Sequence, residues 1–354
     1  MKKKLILTIT GLLIFCQPVM AEDLFKAIEM NDLPQAKNIL HKDSQLINTV
    51  NEFGYTPLIA AVKDGRNEIV DYFLDAGADI NAGKGYSALG MAIGHNNYET
   101  VRMLINRGAD VNILNGNPLN LAAQNGDLDI VKLLIANGAD VNLPRDYGLY
   151  PLHQAAASGH LEVVQYLIEK GADIHRKTDY NQYKYNLSAI DFAVLEGKKN
   201  VVQFLLSQGA EVNLIVMVGL GKKDLLKDYF VKNSNFDFRQ FPLSYLLHFA
   251  VRYGEQEIAE MLIEKGADIR ATNDIGDTPL HFAVGYNQLN LAKWLLGKGA
   301  DPNKQRSPDL YVGRLCTPLD IAVEKNNSEM IDILKNFGGK ISETPKDNCL
   351  FYYK

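Results

Sequence analysis

Apolar residues along the chain recur in two alternating patterns, one short and one at helical spacing. The short pattern follows a Thr or Ser and often a Pro, as in Thr56-Pro57-Leu58. Thr or Ser supplies an N-cap oxygen, and Pro at the first helical position sacrifices no hydrogen bond. The longer pattern spaces apolar residues three apart, as at Leu161, Val164 and Leu167. The chain is therefore predicted to alternate a thin first helix with an amphipathic second helix.

A Gly-Ala-Asp or Gly-Ala-Glu triplet ends the second pattern each time. Its Gly stands at 77, 108, 138, 171, 209, 266 and 299, so the intervals are 31, 30, 33, 38, 57 and 33 residues. We expect these glycines to cap the helices in a left-handed conformation. The 57-residue interval splits into 24 and 33 if Asn233 replaces Gly in a shortened unit, 214–237. This unit lacks the usual loop stretch, and its apolar residues 214–218 predict a buried first helix.

About twenty residues before each Gly lies the other signal, which reads Thr-Pro-Leu-His at 278–281. The combination resembles the ankyrin repeat, whose period is about 33 residues and whose signature is Thr-Pro-Leu-His-x-Ala. The resemblance extends from Asp23 to about Ile341. It implies an all-α repeat solenoid of helix-turn-helix units joined by β-hairpin loops. We predict about ten helical pairs over 22–341, including both caps, without internal domain boundaries, and a C-terminal tail at 342–354.

The first 21 residues have the layout of a bacterial-type secretory signal. Three lysines at 2–4 precede an apolar stretch, and Val19-Met20-Ala21 predicts cleavage between Ala21 and Glu22. The alternative is a membrane anchor, but about twelve apolar residues fall short of the roughly 20 that a spanning helix needs. We expect a periplasmic mature chain without stable membrane insertion, and full secretion from the cell is the alternative.

Composition and charge exclude several classes of protein. The chain is 47% hydrophobic and 22% charged, which argues against disorder. Without the signal it keeps 34 basic and 42 acidic residues, a net charge near −8. The basic residues are interspersed, so they form no face suited to counterion release from nucleic acid. Nucleic acid is therefore not an expected partner.

Motifs for catalysis are weak. Ser87 lies in a segment similar to a nucleophile elbow, but Leu89 stands where Gly is required, and the repeat register explains Ser87 as a helix cap. His153, His248 and His281 share one repeat position. Hydrogen-bonded histidines that brace adjacent hairpins are favoured over a metal site, because ligand spacing is absent. We predict no enzyme activity and no cofactor.

Two cysteines remain after signal removal, Cys316 and Cys349. An even pair in an oxidising compartment suggests a disulfide. The bond would hold the tail 342–354 across the first helix of the last repeat. Two free thiols are the alternative, because spacing alone does not fix geometry.

The ankyrin resemblance implies a binding groove lined by hairpin tips and by the inner ends of first helices. Tyr and Arg are the residues that most often anchor interfaces. They concentrate at tips 145–150 and 176–185 and at the inner ends of two later first helices. The predicted partner-binding residues are Arg145, Tyr147, Tyr150, Arg176, Lys177, Tyr180, Tyr183, Lys184, Tyr185, Arg252, Tyr253 and Tyr286. The alternative is that exposed loops simply accumulate polar and Tyr residues.

The function expected from these features is non-enzymatic binding of another protein by a monomeric chain. The partner would be scaffolded, inhibited or neutralised, the last as in an immunity protein. A secreted effector that binds host proteins is the alternative, and an enzyme built on the repeats has the least support. The locally basic, Tyr-rich tips favour an acidic protein surface as the partner.

Overall fold

The computed structural model describes residues 20–83, 85–113, 117–145, 148–178, 186–233, 243–306, 315–342 and 349. Within these residues the regular structure is helical, and β pairing is limited to isolated bridges between Arg145 and Leu149 and between Lys177 and Ser188. The helices form consecutive pairs, so the predicted all-α repeat solenoid is confirmed as the fold class. The predicted secretory signal lies outside the described residues, except for 20 and 21.

The chain divides into two compact units, Met1–Gln208 and Gly209–Lys354. This differs from the expectation of a solenoid without internal boundaries. The division coincides with the shortened repeat. Only residues 210–213 connect the turn at Gly209 to the next helix, whereas ten residues, 78–87, connect the equivalent turn at Gly77 to the next helix. The repeat therefore loses its loop segment where the two units meet in sequence.

Among its described residues, the first unit contains six helical pairs. Its helices are α1 (20–29), α2 (Leu33–Lys42), a 3-10 helix (Ser44–Asn48), α3 (Pro57–Lys63), α4 (Asn67–Asp75), α5 (Ala88–Gly94), α6 (Tyr98–Asn106), α7 (Pro118–Asn125), α8 (Leu128–Ala136), α9 (Pro151–Ser158), α10 (Leu161–Glu169), α11 (Ala189–Leu195) and α12 (Lys199–Ser207). First helices pack on the next first helix from α3 to α11, and second helices pack likewise from α6 to α12. The core lies between these two layers, where Ile69, Val70 and Phe73 of α4 are completely buried.

The second unit has four helical pairs. Its helices are α13 (Leu214–Gly219), α14 (Lys223–Lys232), α15 (Leu243–Tyr253), α16 (Gln256–Glu264), α17 (Pro279–Gly285), α18 (Leu289–Gly297), α19 (Pro318–Glu324) and α20 (Ser328–Asn336). The five apolar residues of α13 are all buried, which confirms the predicted first helix at 214–218. First helices again stack in order, from α13 through α15 and α17 to α19. None of the described helices is both long and apolar enough to cross a membrane.

Thr, Ser or Asn begins most of the described first helices, Tyr150 of α9 being an exception, and left-handed residues follow their ends. The hydroxyl of Ser87 accepts the backbone N–H of Gly90 at 3.0 Å, which confirms Ser87 as a helix cap. Gly126 ends α7 with φ 81°, and a Cβ built on it would lie 2.3 Å from Nδ1 of His160 in the next repeat. Glycine is therefore required at 126 both for its backbone conformation and for the close approach of the next unit.

Asparagines link the loops of consecutive repeats into a ladder. Asn81 Oδ1 accepts the backbone N–H of Asp110 at 2.9 Å, and Asn112 Oδ1 accepts that of Asp140 at 2.8 Å. Asn112 also donates from Nδ2 to the carbonyl of Gly138 at 2.9 Å. Each amide therefore pairs with backbone groups just after the second helix of the next repeat. The ladder fixes the spacing of the loops that carry the predicted binding residues of the first unit.

Candidate binding surfaces

The described parts of the two predicted tips, 145–150 and 176–185, contain three basic residues, Arg145, Arg176 and Lys177, and the buried ring of Tyr150. The backbone N–H of Arg145 donates to the carbonyl of Leu149 at 2.8 Å, which closes the first tip. The guanidinium carbon of Arg176 lies 5.3 Å from the ring centroid of Tyr150, and its Nε lies 3.8 Å from a carboxylate oxygen of Asp173. Lys177 is exposed beside it. The structure thus brings Arg176 to Tyr150, as a cation over an aromatic face.

Tyr150 does not project as a surface anchor, contrary to the prediction. Its side chain is 6% exposed, because it occupies the N-cap position of α9 and its ring packs edge-on against His153. The Tyr150 ring instead packs against the guanidinium of Arg176. Five other predicted residues lie outside the described residues, namely Tyr147, Tyr180, Tyr183, Lys184 and Tyr185.

In the second unit, the three predicted residues form one cluster at the inner ends of α15 and α17. The guanidinium carbon of Arg252 lies 4.9 Å from the ring centroid of Tyr286 and 5.8 Å from that of Tyr253. All three residues are partly exposed. The Tyr286 ring lies 6.0 Å from that of Phe282, and Gln288 Nε2 donates to the Arg252 carbonyl at 3.3 Å. We call Arg252, Tyr253 and Tyr286 the Arg252 cluster.

The Arg252 cluster has the chemistry of an interface anchor. Stacking on an aromatic ring restricts the orientation of a guanidinium plane. The N–H groups lie in this plane and match the geometry of a carboxylate. Tyrosine adds a large apolar face and a polar hydroxyl at little entropic cost. Such a preordered set loses little side-chain freedom when it binds.

A third surface, which the sequence did not single out, lies at the start of the first unit. A cleft of about 280 Å³ is walled by the rings of Phe25, Phe53 and Tyr55 and has Glu29 and Lys63 among its other lining residues. Phe53 is 65% exposed. We call this site the aromatic cleft. One sequence signal could have pointed to this site: Tyr55 stands just before the cap Thr56, as Tyr86 stands just before the cap Ser87 in the next repeat. The two rings pack edge-on, with centroids 5.1 Å apart.

The shared histidines lie buried behind these surfaces and brace the following loop. His153 Nε2 lies 2.9 Å from the Arg176 carbonyl, His248 Nε2 lies 3.0 Å from the Asp277 carbonyl, and His281 Nε2 lies 3.3 Å from the Cys316 carbonyl. Burial lowers the pKa of His248. Burial also lowers the pKa of His281 to about 4. In the described residues, no group of three or more His, Cys, Asp or Glu side chains is placed to hold a metal ion.

The C-terminal part of the second unit contains a buried ion pair that the sequence did not reveal. Asp277 receives two hydrogen bonds from Arg306, one of them from Nη2 at 3.1 Å, and both side chains are nearly inaccessible to solvent. Arg306 Nη1 also donates to the carbonyl of Cys349 at 2.9 Å. The sulfur atoms of Cys316 and Cys349 lie 2.04 Å apart, as a disulfide. The tail residue Cys349 therefore completes the surroundings of a buried charge.

Stacked helical pairs, short hairpin loops and partly exposed aromatic and arginine side chains define a repeat protein of the kind that presents a surface to other molecules. The family model described as "Ankyrin repeats (3 copies)" matches three segments, residues 24–115, 119–216 and 214–306. The chain belongs to the ankyrin-repeat family. Ankyrin repeats generally mediate protein–protein interaction, and ankyrin-repeat proteins are typically non-enzymatic.

Curated relatives resemble this chain only over part of its length. "Ankyrin repeat and SAM domain-containing protein 6" of Rattus norvegicus is 36% identical over 94 residues, which is 26% of this chain and 11% of that protein. The protein of the same name from Mus musculus is 36% identical over 92 residues, 25% of this chain and 10% of the relative. "Putative ankyrin repeat protein L38" of Acanthamoeba polyphaga mimivirus is 42% identical over 64 residues, 18% of this chain and 32% of the relative.

Proposed function

We propose that this chain is an exported, non-enzymatic module that binds a partner protein through its hairpin tips and the inner ends of its first helices. The observation that carries the proposal is the Arg252 cluster, in which one guanidinium lies over tyrosine rings from two consecutive repeats. Interface energy concentrates in such Tyr and Arg anchors. The stacked helices behind the cluster hold it in place before the partner arrives, which lowers the entropic cost of association.

The partner surface that suits the Arg252 cluster is acidic. A guanidinium donates two parallel hydrogen bonds to a carboxylate, which fixes orientation as well as adding energy. In the first unit, Arg145, Arg176 and Lys177 give their tips the same sign of charge. Binding an acidic surface would scaffold, inhibit or neutralise the partner, and an immunity-type role fits this description.

The periplasm is the proposed site of action. Lysines, an apolar stretch and small residues in 1–21 support export. The pairing of Cys316 with Cys349 in the structure also favours an oxidising compartment.

Cell fractionation with mass spectrometry of the N-terminus tests the export proposal. A chain that begins at Glu22 and is recovered from the periplasmic fraction is the expected result. Recovery from the culture medium would favour the secreted-effector alternative. An uncleaved chain in the cytoplasm would overturn export.

Site-specific photocrosslinking in cells tests the binding proposal. A photoreactive phenylalanine replaces Tyr286 in one variant and Tyr98, an exposed residue of α6, in a matched control. A discrete adduct with another protein is expected at 286 and not at 98. Equal adducts at both positions, or none at 286, would contradict binding at the Arg252 cluster.

A further inference from the structure

The rings of the aromatic cleft differ from those of Tyr72, Tyr150 and Tyr286 in having no described cation of the chain over them. Arg176 lies over Tyr150, Arg252 over Tyr286 and Lys37 over Tyr72, so these rings carry a cation from the chain itself. Among the described residues, no cation lies over Phe53, Tyr55 or Tyr86. The cleft therefore presents aromatic faces of the same kind, over which a cation from another molecule could lie.

The charge at the edge of the cleft favours a cation. Lys63 lies 3.2 Å from a carboxylate oxygen of Asp64, so these two side chains balance each other. Glu29 also lines the cleft; Arg66 Nη2 donates to its backbone carbonyl at 2.8 Å, and among the described residues no ion pair engages its carboxylate. Aromatic faces carry a negative quadrupole, so rings and carboxylate act in the same direction.

The size of the cleft indicates a single side chain. Its volume of about 280 Å³ lies just below the roughly 300–1,000 Å³ of pockets that enclose small molecules. An anchor residue that fills a pocket of a partner is a common arrangement at protein interfaces.

We propose that the aromatic cleft receives an arginine side chain of a partner protein. Arginine is favoured over lysine because its planar guanidinium stacks on aromatic faces, is weakly hydrated and pairs with a carboxylate. The guanidinium stacks on the rings of Phe53 and Tyr55 and pairs with Glu29. This inference rests on the proposed function only in that the arginine belongs to a protein.

Titration with model compounds, followed by NMR of the mature protein, tests the inference without the partner. The probe is N-acetyl-arginine amide, and the controls are the amides of N-acetyl-citrulline, a neutral isostere, and N-acetyl-norleucine, which is apolar. Saturable shifts at Phe53, Tyr55 and Glu29 with arginine, at least three times weaker with both controls, are expected. Equal shifts with norleucine, or no shifts at these residues, would overturn the inference.

Two variants identify the groups responsible. Phe53→Ala and Glu29→Gln change exposed side chains, and each should weaken the arginine response about three- to tenfold, since an exposed cation–π contact or ion pair contributes on the order of 1 kcal/mol. The matched control Tyr98→Ala should leave it unchanged. An unaltered response in both cleft variants would exclude the site. The result is independent of adducts at Tyr286, so failure here and failure of the proposed function are distinguishable.

Discussion

At the residue scale, the buried histidines show how one side chain joins two repeats. His281 Nδ1 accepts the backbone N–H of Thr278 at 3.1 Å, so the ring proton is assigned to Nε2, which faces the Cys316 carbonyl. The neutral imidazole thus links the start of α17 to the next loop. The sequence predicted this bracing role, because three histidines share one repeat position.

Acidification should weaken the second unit through His281. Burial, with a smaller contribution from Arg306, lowers its pKa from 6.5 to about 4 in the folded protein. The unfolded chain then binds more protons between these values, so stability is complete above about pH 6.5 and falls as the pH drops toward 4. The loss should approach about 3 kcal/mol. Denaturant unfolding at pH 7 and at pH 5 should show a difference of about 2 kcal/mol of this loss.

His281→Gln should flatten this dependence, because glutamine does not titrate. His248, whose pKa burial also lowers, leaves a residual slope. His95→Gln serves as the control, because His95 is exposed at the end of α5. A pH dependence unchanged in His281→Gln would refute the assignment.

At the element scale, the asparagine ladder explains why the loops are regular although most contain no strand among their described residues. Its members stand four residues after the capping Gly, as at Asn81, Asn112 and Asn142. The ladder is interrupted at His175, the equivalent position before the enlarged tip, and the same two bonds recur at Asn303, which pairs with the backbone of Gly338 and Lys340. Periodicity predicts the helices, but the ladder appears only when the amide partners in the next repeat are known.

Asn112→Ala should lower the free energy of unfolding by about 1–3 kcal/mol, because it removes two inter-repeat hydrogen bonds, each worth about 0.5–1.5 kcal/mol. Asn200→Ala, at an exposed position of α12, is the matched control and should have little effect. Denaturant midpoints of both variants provide the comparison. Equal stability of the two would show that the ladder is not a stabilising element.

The C-terminal tail is a second element whose contribution is measurable. A cross-link across 33 residues stabilises by about 3–4 kcal/mol in the chain-entropy model. Cys349→Ser should lose this and loosen the buried Arg306–Asp277 pair. Mass spectrometry after alkylation in denaturant, without reductant, checks the bond itself. The mature protein should take up no label, whereas labelling at both cysteines would contradict the pairing.

The sequence could not predict the Arg306–Asp277 pair. Its members are 29 residues apart, and the repeat register gives neither one a special position. Their burial depends on a loop and on the tail residue Cys349, neither of which follows the helical period.

At the scale of the whole molecule, the repeat period determined the class of fold, but not the division at Gln208. The repeat register also predicted the positions of the candidate residues, but it did not predict how far each side chain is buried. Tyr150 therefore looked like a tip residue although it caps α9, whereas the Arg252 cluster assembled from two repeats as expected. The aromatic cleft escaped notice because the Tyr before the cap marks only Tyr55, whereas Phe25 lies on a different helix and Phe53 in the loop outside the repeat signature.

The most direct test of protein binding is quantitative capture from a periplasmic extract with the mature chain as bait, after chemical crosslinking. Baits are the unaltered chain, Arg252→Ala, Tyr286→Ala and the control Tyr98→Ala, each checked for equal thermal stability. One partner should be recovered by the unaltered and control baits and at least tenfold less by both cluster variants, since anchor residues contribute about 2 kcal/mol or more. Equal recovery by all four baits would contradict the account.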